Sequence, residues 1–403
     1  WVDDTEDSSN IYGKKFTAMV NVYSNAKVIS AEEQELRSNA DIQSITIGDN
    51  ALTSVTDKEW NYEIQLDNPD TLKLNIIPKY ALANIKIEKD NQIISNNSEV
   101  SLVGGDNVYK VTITSADQKN AKEYKINVKV KQVEKVSIFG KQYEVIDAEP
   151  TLTTSSNKSS DASGLYKSTA TNTGEPTYYF RGNVTNNYVS FAGQTWRIVR
   201  INEDRTIRII MQNGINNNAT YGFNSNNNNY KYMYYTNSSN SKAQLENWYQ
   251  TNIVSNENLA SKVATGNYYC EQAKVKRNSS YTSGSAAMTS YSSYTPDFKC
   301  TTDGNGKGPV NASVGLLSYD EAVFAGGYYG KNNSNYYLYN PAIKWWTMSP
   351  AGFTGSYSDG WLVNTTGNID NYNIYNCLRS VVNLNADTLV TGSGTSSDPF
   401  IVS

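Results

Sequence analysis

The sequence predicts a mainly β fold divided among several domains. Three observations lead there. A chain of 403 residues is longer than one ordinary core accommodates, so two or three domains are expected. Short runs of alternating apolar and polar residues recur through its first third, punctuated by Gly, Asn, Asp and Pro, which is the pattern of half-buried strands joined by turns. The chemistry then changes near residue 150. Residues 1–150 carry 17 Lys and Arg against 24 Asp and Glu with 7 Tyr, whereas the remainder carries 18 against 15, with 24 Tyr and five of the seven Trp. In a chain only 38% hydrophobic but 12% aromatic, much of the apolar area comes from rings that bear hydroxyls.

The elements follow in chain order. Residues 1–39 read as a leading segment, part of an N-terminal β domain, with weak alternation over 14–28 suggesting a strand. Ser30 followed by Glu33 is a capping-box signature that opens a short helix through Leu36. Strands are expected at Ile42–Ile47, Tyr62–Leu66, Leu72–Ile76, Ile85–Ile87, Val108–Thr114 and Tyr124–Val130, with turns at Gly48–Asn50, Asn68–Asp70 and Gly104–Asn107. So many short strands within about 90 residues argue a β-sandwich. It spans 40–134, and 135–163 reads as a connecting strand and a Ser/Thr/Asn-rich linker. The last module spans 164–403. Its strand Trp196–Ile201 alternates Trp196, Ile198 and Arg200 with Arg197, Val199 and Ile201, which puts arginines on both faces. They are expected to pair or to edge the sheet, with ligand binding by Arg197 or Arg200 as the alternative. Ser241 with Gln244 opens a helix through Tyr249, and Ser318 with Glu321 opens another that Gly326–Gly327 ends. The adjacent carboxylates Asp320 and Glu321 resemble an acid/base pair, but a first helical turn favours negative charge without any catalytic role.

Composition removes several function classes. Histidine is absent, so no Ser-His-Asp triad, HExxH zinc site or two-histidine iron site can be formed. A net charge of -4 supplies no basic field for a phosphate backbone, and nucleic acid is not an expected partner. No apolar run approaches the 18 or so residues of a membrane-spanning helix. Of the cysteines, Cys270 and Cys300 bracket a Ser/Tyr/Asn-rich stretch, and Cys377 stands apart. A disulfide closing that loop would stabilise it by limiting the unfolded chain, with two buried thiols as the alternative.

Two resemblances add to this reading. The order ADIQSITIGDNALTS, WNYEIQL, LVGGDNVYKVTITSADQ and KEYKINVKV resembles the cadherin-like β-sandwich domains of bacterial surface proteins, which implies an immunoglobulin/cadherin-like spacer without catalytic residues. Residues 164–403 resemble an uncharacterised family of surface proteins from low-GC bacteria. The shared order is FRG, WRIVRI, the two loop cysteines, GLLSYDEAVFAGG, WWTMSP, the arginine-valine strand and DPF. That family is similar in turn to the C-type-lectin-like group containing formylglycine-generating enzymes, which implies an α+β domain whose first and last strands pair. The group's chemistries do not transfer. Glu175-Pro176-Thr177 is not a calcium-lectin loop, no WND follows, and Cys377 is the lone C-terminal cysteine. No cofactor and no metal are expected.

What remains is a contact surface. Trp345, Tyr357, Asp359, Asn364, Asn368, Asp370, Asn371 and Tyr372 mix rings with amides and carboxylates, suited to stacking on sugars or inserting at protein interfaces. The plainer reading makes Trp346 and Trp361 core and the Asn, Asp and Gly residues turn formers. The expected function is therefore that of an extracellular, cell-surface, adhesin-like protein. It would not be an enzyme, and its sandwich stalk would carry a lectin-like head for a glycan or for a host or bacterial surface protein. The alternative is a structural subunit that packs against copies of itself in a filament or surface layer. A carbohydrate-active enzyme, which needs only two suitably spaced carboxylates, is the lesser alternative.

Overall fold

A computed structural model describes residues 29–66, 71–152, 161–223, 234–236, 240–266, 268–272, 295–302, 307–354, 357–372 and 375–403. The strand expected over 14–28 and the turn expected at Asn68–Asp70 lie outside the described residues. Strand makes up 43% of the structure and helix 13%, so the protein is mainly β, and the chain divides into two units between Val133 and Glu134.

The first unit is a stack of two sheets. Alternation dictates which side chains go inside: along Gly105–Thr114, Tyr109, Val111 and Ile113 are fully buried while Val108 is 43% exposed. One sheet has the order Asn50–Ala51, Ile42–Ile47, Thr71–Pro78, Ser98–Ser101, and the other Thr53–Ser54, Glu59–Leu66, Ala121–Gln132, Gly105–Thr114, Asn84–Lys89, Gln92–Ile94. Ile45, Ile47, Leu74 and Ile76 of the first meet Ile87, Val111, Ile126 and Val128 of the second in one core. Glu59–Leu66 runs parallel to Ala121–Gln132 over eight residue pairs. Lys89 pairs with Gln92, so Asp90 and Asn91 alone make the intervening turn, both at positive φ (51° and 63°), as a tight hairpin requires. The helix Ala31–Arg37 starts where the capping signature placed it, with the Ser30 hydroxyl accepting from Glu33 N–H at 3.1 Å.

The second unit begins earlier than the sequence suggested. Lys135–Ile138 and Lys141–Glu144 form a hairpin, and Val136, Ile138, Tyr143 and Val145 lie in the core of this unit. The connecting strand expected at the start of 135–163 is thus a hairpin docked in this core, where its apolar residues leave water, while 153–160 of the Ser/Thr/Asn-rich stretch lie outside the described residues.

Its main sheet runs Gly164–Ser168, Thr177–Arg181, Gln194–Ile201, Tyr188–Phe191, Phe400–Val402 and Val390–Thr391. Ile207–Met211 pairs both with Gln194–Ile201 and with Val381–Leu384. The last strand therefore joins Tyr188–Phe191 and not the first strand of the module. A β-bulge decides the chemistry of this sheet. Ile198 pairs with Ile209 and Arg200 with Arg208, leaving Val199 as the extra residue. Opposed residues of an antiparallel pair share a face, so the bulge transfers Arg200 to the face of Arg197, correcting the expectation of arginines on both faces. Tyr166, Tyr179, Arg200, Arg208 and Asn383 then stand side by side across five strands.

A second sheet has the order Thr220–Tyr221, Asn376–Cys377, Trp345–Thr354, Tyr357–Val363, Asn368–Tyr372, Tyr328–Tyr329. Three of the module's tryptophans, Trp345, Trp346 and Trp361, sit in it with at most 2% exposure. The helix whose cap was expected at Ser241 starts at Asn240, two residues earlier than that cap implies, and continues through a π turn at Gln250–Val254. The helix Tyr319–Ala325 carries the full capping box between Ser318 and Glu321.

Candidate functional site

Of the surface expected between Trp345 and Tyr375, only part falls on described side chains. Trp345 is 1% exposed, a correction with a plain cause: its strand is paired on both sides and its ring lies under the Arg379 guanidinium at 4.9 Å. Asn364 and Asn368 instead build a turn, in which Asn364 N–H donates to the Asn368 carbonyl and the Asn368 Oδ1 accepts from the Thr366 hydroxyl, both at 2.8 Å. The Asp370 carboxylate accepts from Asn371 N–H at 2.9 Å. Asn371 stands opposite Trp361 and Asp370 opposite Leu362, so Asp359 and Asn371 share one sheet face while Asn368 and Asp370 share the other. Asp359 is half-buried, and burial pushes its carboxyl up. Tyr357 and Tyr372 lie on described strands, with side chains outside the described residues.

Charge and cavity come together elsewhere, on the arginine face of the main sheet. Glu321, one residue into the helix from Asp320, is 4% exposed and works twice. Its Oε2 accepts from Ser318 N–H at 2.9 Å, closing the cap. Its Oε1 accepts from Arg200 Nε at 3.0 Å and from Arg208 Nη1. Burial alone would push the Glu321 carboxyl up, but the Arg208 and Arg200 charges and the Ser318 N–H outweigh it and hold it down to about 2. Arg208 also donates from Nε to Asn383 Oδ1 and from Nη2 to the Tyr268 carbonyl. Arg200 donates from Nη1 to the Thr177 hydroxyl at 3.1 Å and lies 3.6 Å from Glu203, while its Nη2 has no hydrogen-bond partner among the described residues.

Above this network lies a cavity of about 490 Å³ lined by Arg200, Arg208 and Glu321, by Glu175, Glu203, Asp204 and Asp297, by Asn172 and Asn202, and by Tyr268 and Phe298, among others. The Cys270–Cys300 disulfide forms part of the wall. Cys300 is pinned on its other side, its N–H donating to Asn172 Oδ1 at 2.8 Å. Phe298 stacks on Phe324 at 4.0 Å with Arg200 over its ring, whereas Tyr268 is 64% exposed. Donors, carboxylates, amides and one exposed ring converge here, the set that small polar ligands use. Sequence reasoning singled out Arg200, Glu321 and the cysteines separately. Their convergence depends on the bulge at Val199, which no residue type announces.

Among the described residues no cluster of His, Cys, Asp and Glu could hold a metal ion, and no helix is long and apolar enough to cross a membrane. No protein-family model and no curated protein matches the chain.

Proposed function

We propose that this chain is an extracellular, non-enzymatic, adhesin-like surface protein. Its second unit, of the C-type-lectin-like kind, binds a glycan in the disulfide-walled cavity, and its first unit serves as a cadherin-like spacer. The cavity carries this reading. Its volume suits a small ligand, its carboxylates and amides accept and donate to hydroxyls, the Nη2 of Arg200, unpartnered among the described residues, supplies a further donor, and Tyr268 offers a ring for stacking. The disulfide fits an oxidising compartment. A binding role is favoured over catalysis because Glu321, the most deeply buried carboxylate of the cavity wall, is committed to two arginines and a cap.

Screening the full chain on a glycan array is expected to give saturable binding. Tyr268→Ala should weaken it about tenfold without lowering thermal stability. Failure to bind any glycan, or release of reducing sugar from a bound one, would overturn the proposal.

A further inference from the structure

The lining of the disulfide-walled cavity is unbalanced in charge. The carboxylates of Glu175, Glu203, Asp204, Asp297 and Glu321 stand against three cations, Arg200, Arg208 and Lys299, an excess of two negative charges. The arginines are already matched: both pair with Glu321, and Arg200 also lies 3.6 Å from Glu203. Among the described residues, neither Glu175 nor Asp204 has a cation within ion-pair distance. Asp204 Oδ1 accepts from the Thr206 N–H at 3.0 Å and from its hydroxyl at 2.6 Å, which fixes the carboxylate without neutralising it. Glu175 is exposed on the rim. A cleft lined mainly by one sign of charge concentrates ligands of the other sign.

Arg200 adds an independent constraint. It is 8% exposed, it lines the cavity, and its Nη2 is unpartnered among the described residues. Because its charge is matched by Glu321 and Glu203, Nη2 offers a hydrogen bond to a neutral acceptor such as a hydroxyl. Tyr268 contributes the exposed ring. A ring for stacking, a donor for a hydroxyl and surplus negative charge describe one ligand chemistry. We infer that the ligand of this cavity is an amino sugar with a free, protonated amine, whose ammonium is held by the carboxylate excess of Glu175 and Asp204. The inference rests on the glycan reading of the cavity and narrows it. An acidic sugar would add to the excess, and a neutral or N-acetylated one would leave it uncompensated.

The test titrates the full chain by calorimetry with the β-linked trisaccharides of glucosamine, N-acetylglucosamine and glucose, in a buffer that keeps the free amine protonated. The glucosamine form should bind about tenfold more tightly than either of the others, the difference that one charge-assisted hydrogen bond makes, and the margin should narrow as salt is raised. Trilysine, which brings positive charge without a sugar ring, should bind more weakly than the glucosamine trisaccharide. Glu175→Gln, at an exposed position, should cut the ratio of glucosamine to N-acetylglucosamine affinity about fivefold, whereas a merely structural change would lower both affinities together. Asp204→Asn, which keeps an acceptor for Thr206, makes the same test at the second carboxylate. A ratio that neither substitution moves, or trilysine binding as tightly as the trisaccharide, would overturn this inference. So would a glycan array that yields only neutral or acidic ligands, which leaves the glycan reading standing. A blank array would remove both.

Discussion

Glu321 shows how one side chain can satisfy a local rule and a long-range one together. Its spacing from Ser318 is readable in the sequence as a helix cap, and the cap is there. Its pairing with arginines 113 and 121 residues away is not readable, because nothing local records which strand lies beneath the helix. Replacing it by Gln leaves two buried guanidinium groups facing a neutral amide and should destabilise the second unit by about 3–5 kcal/mol, measured by urea unfolding. The pH dependence follows in sign. A carboxyl held down to about 2 in the fold lies below its unfolded value, so its contribution is full above about pH 4.5 and is lost as pH falls toward 2. Acid titration of the wild-type chain should therefore show a steeper loss of second-unit stability over that window than Glu321→Gln. Parallel slopes would mean that Glu321 is not the group titrating.

Among the elements, strand existence was legible and strand pairing was not. Period-2 alternation located the long strands of the first unit to within a few residues, because one face of each is dry and the other wet. The short edge strands at Asn50–Ala51 and Gln92–Ile94, whose residues are largely exposed, carry no such contrast and went unread. The same physics explains the misjudged surface near Trp345: a strand buried on both faces loses its alternation, and its tryptophan then looks free. Turn chemistry makes its own prediction. Asn91 at φ 63° tolerates the left-handed region better than a β-branched residue would. Asn91→Val should cost about 1–2 kcal/mol, seen as a lower urea midpoint for the first unit alone. The disulfide closes a separation of 30 residues. Replacing both cysteines by Ser should lower second-unit stability by about 3–4 kcal/mol in the chain-entropy picture and weaken glycan binding through the cavity wall. A binding constant unchanged in that variant would show that the wall is not part of the site.

At the scale of the whole molecule, composition announced two units near residue 150, and the structure divides them at Val133/Glu134. The offset arises because the hairpin over 135–144 is charged on its outer side, like the first unit, yet buries Val136, Ile138 and Tyr143 in the second. Composition reports the solvent side of an element, while membership of a core is decided by the other side. With separate cores, calorimetry should resolve two transitions, of which a reducing agent moves only the second. The row of Tyr166, Tyr179, Arg200, Arg208 and Asn383 has a consequence for how the second unit assembles. If the strand bearing Arg200 or the strand bearing Arg208 slipped by one residue, its guanidinium would be carried from Glu321 to the face of Trp196, Ile198 and Ile209, where a buried unpaired charge is costly. The paired charges thus act as a key to the alignment of these two strands, one that side-chain packing alone would not supply.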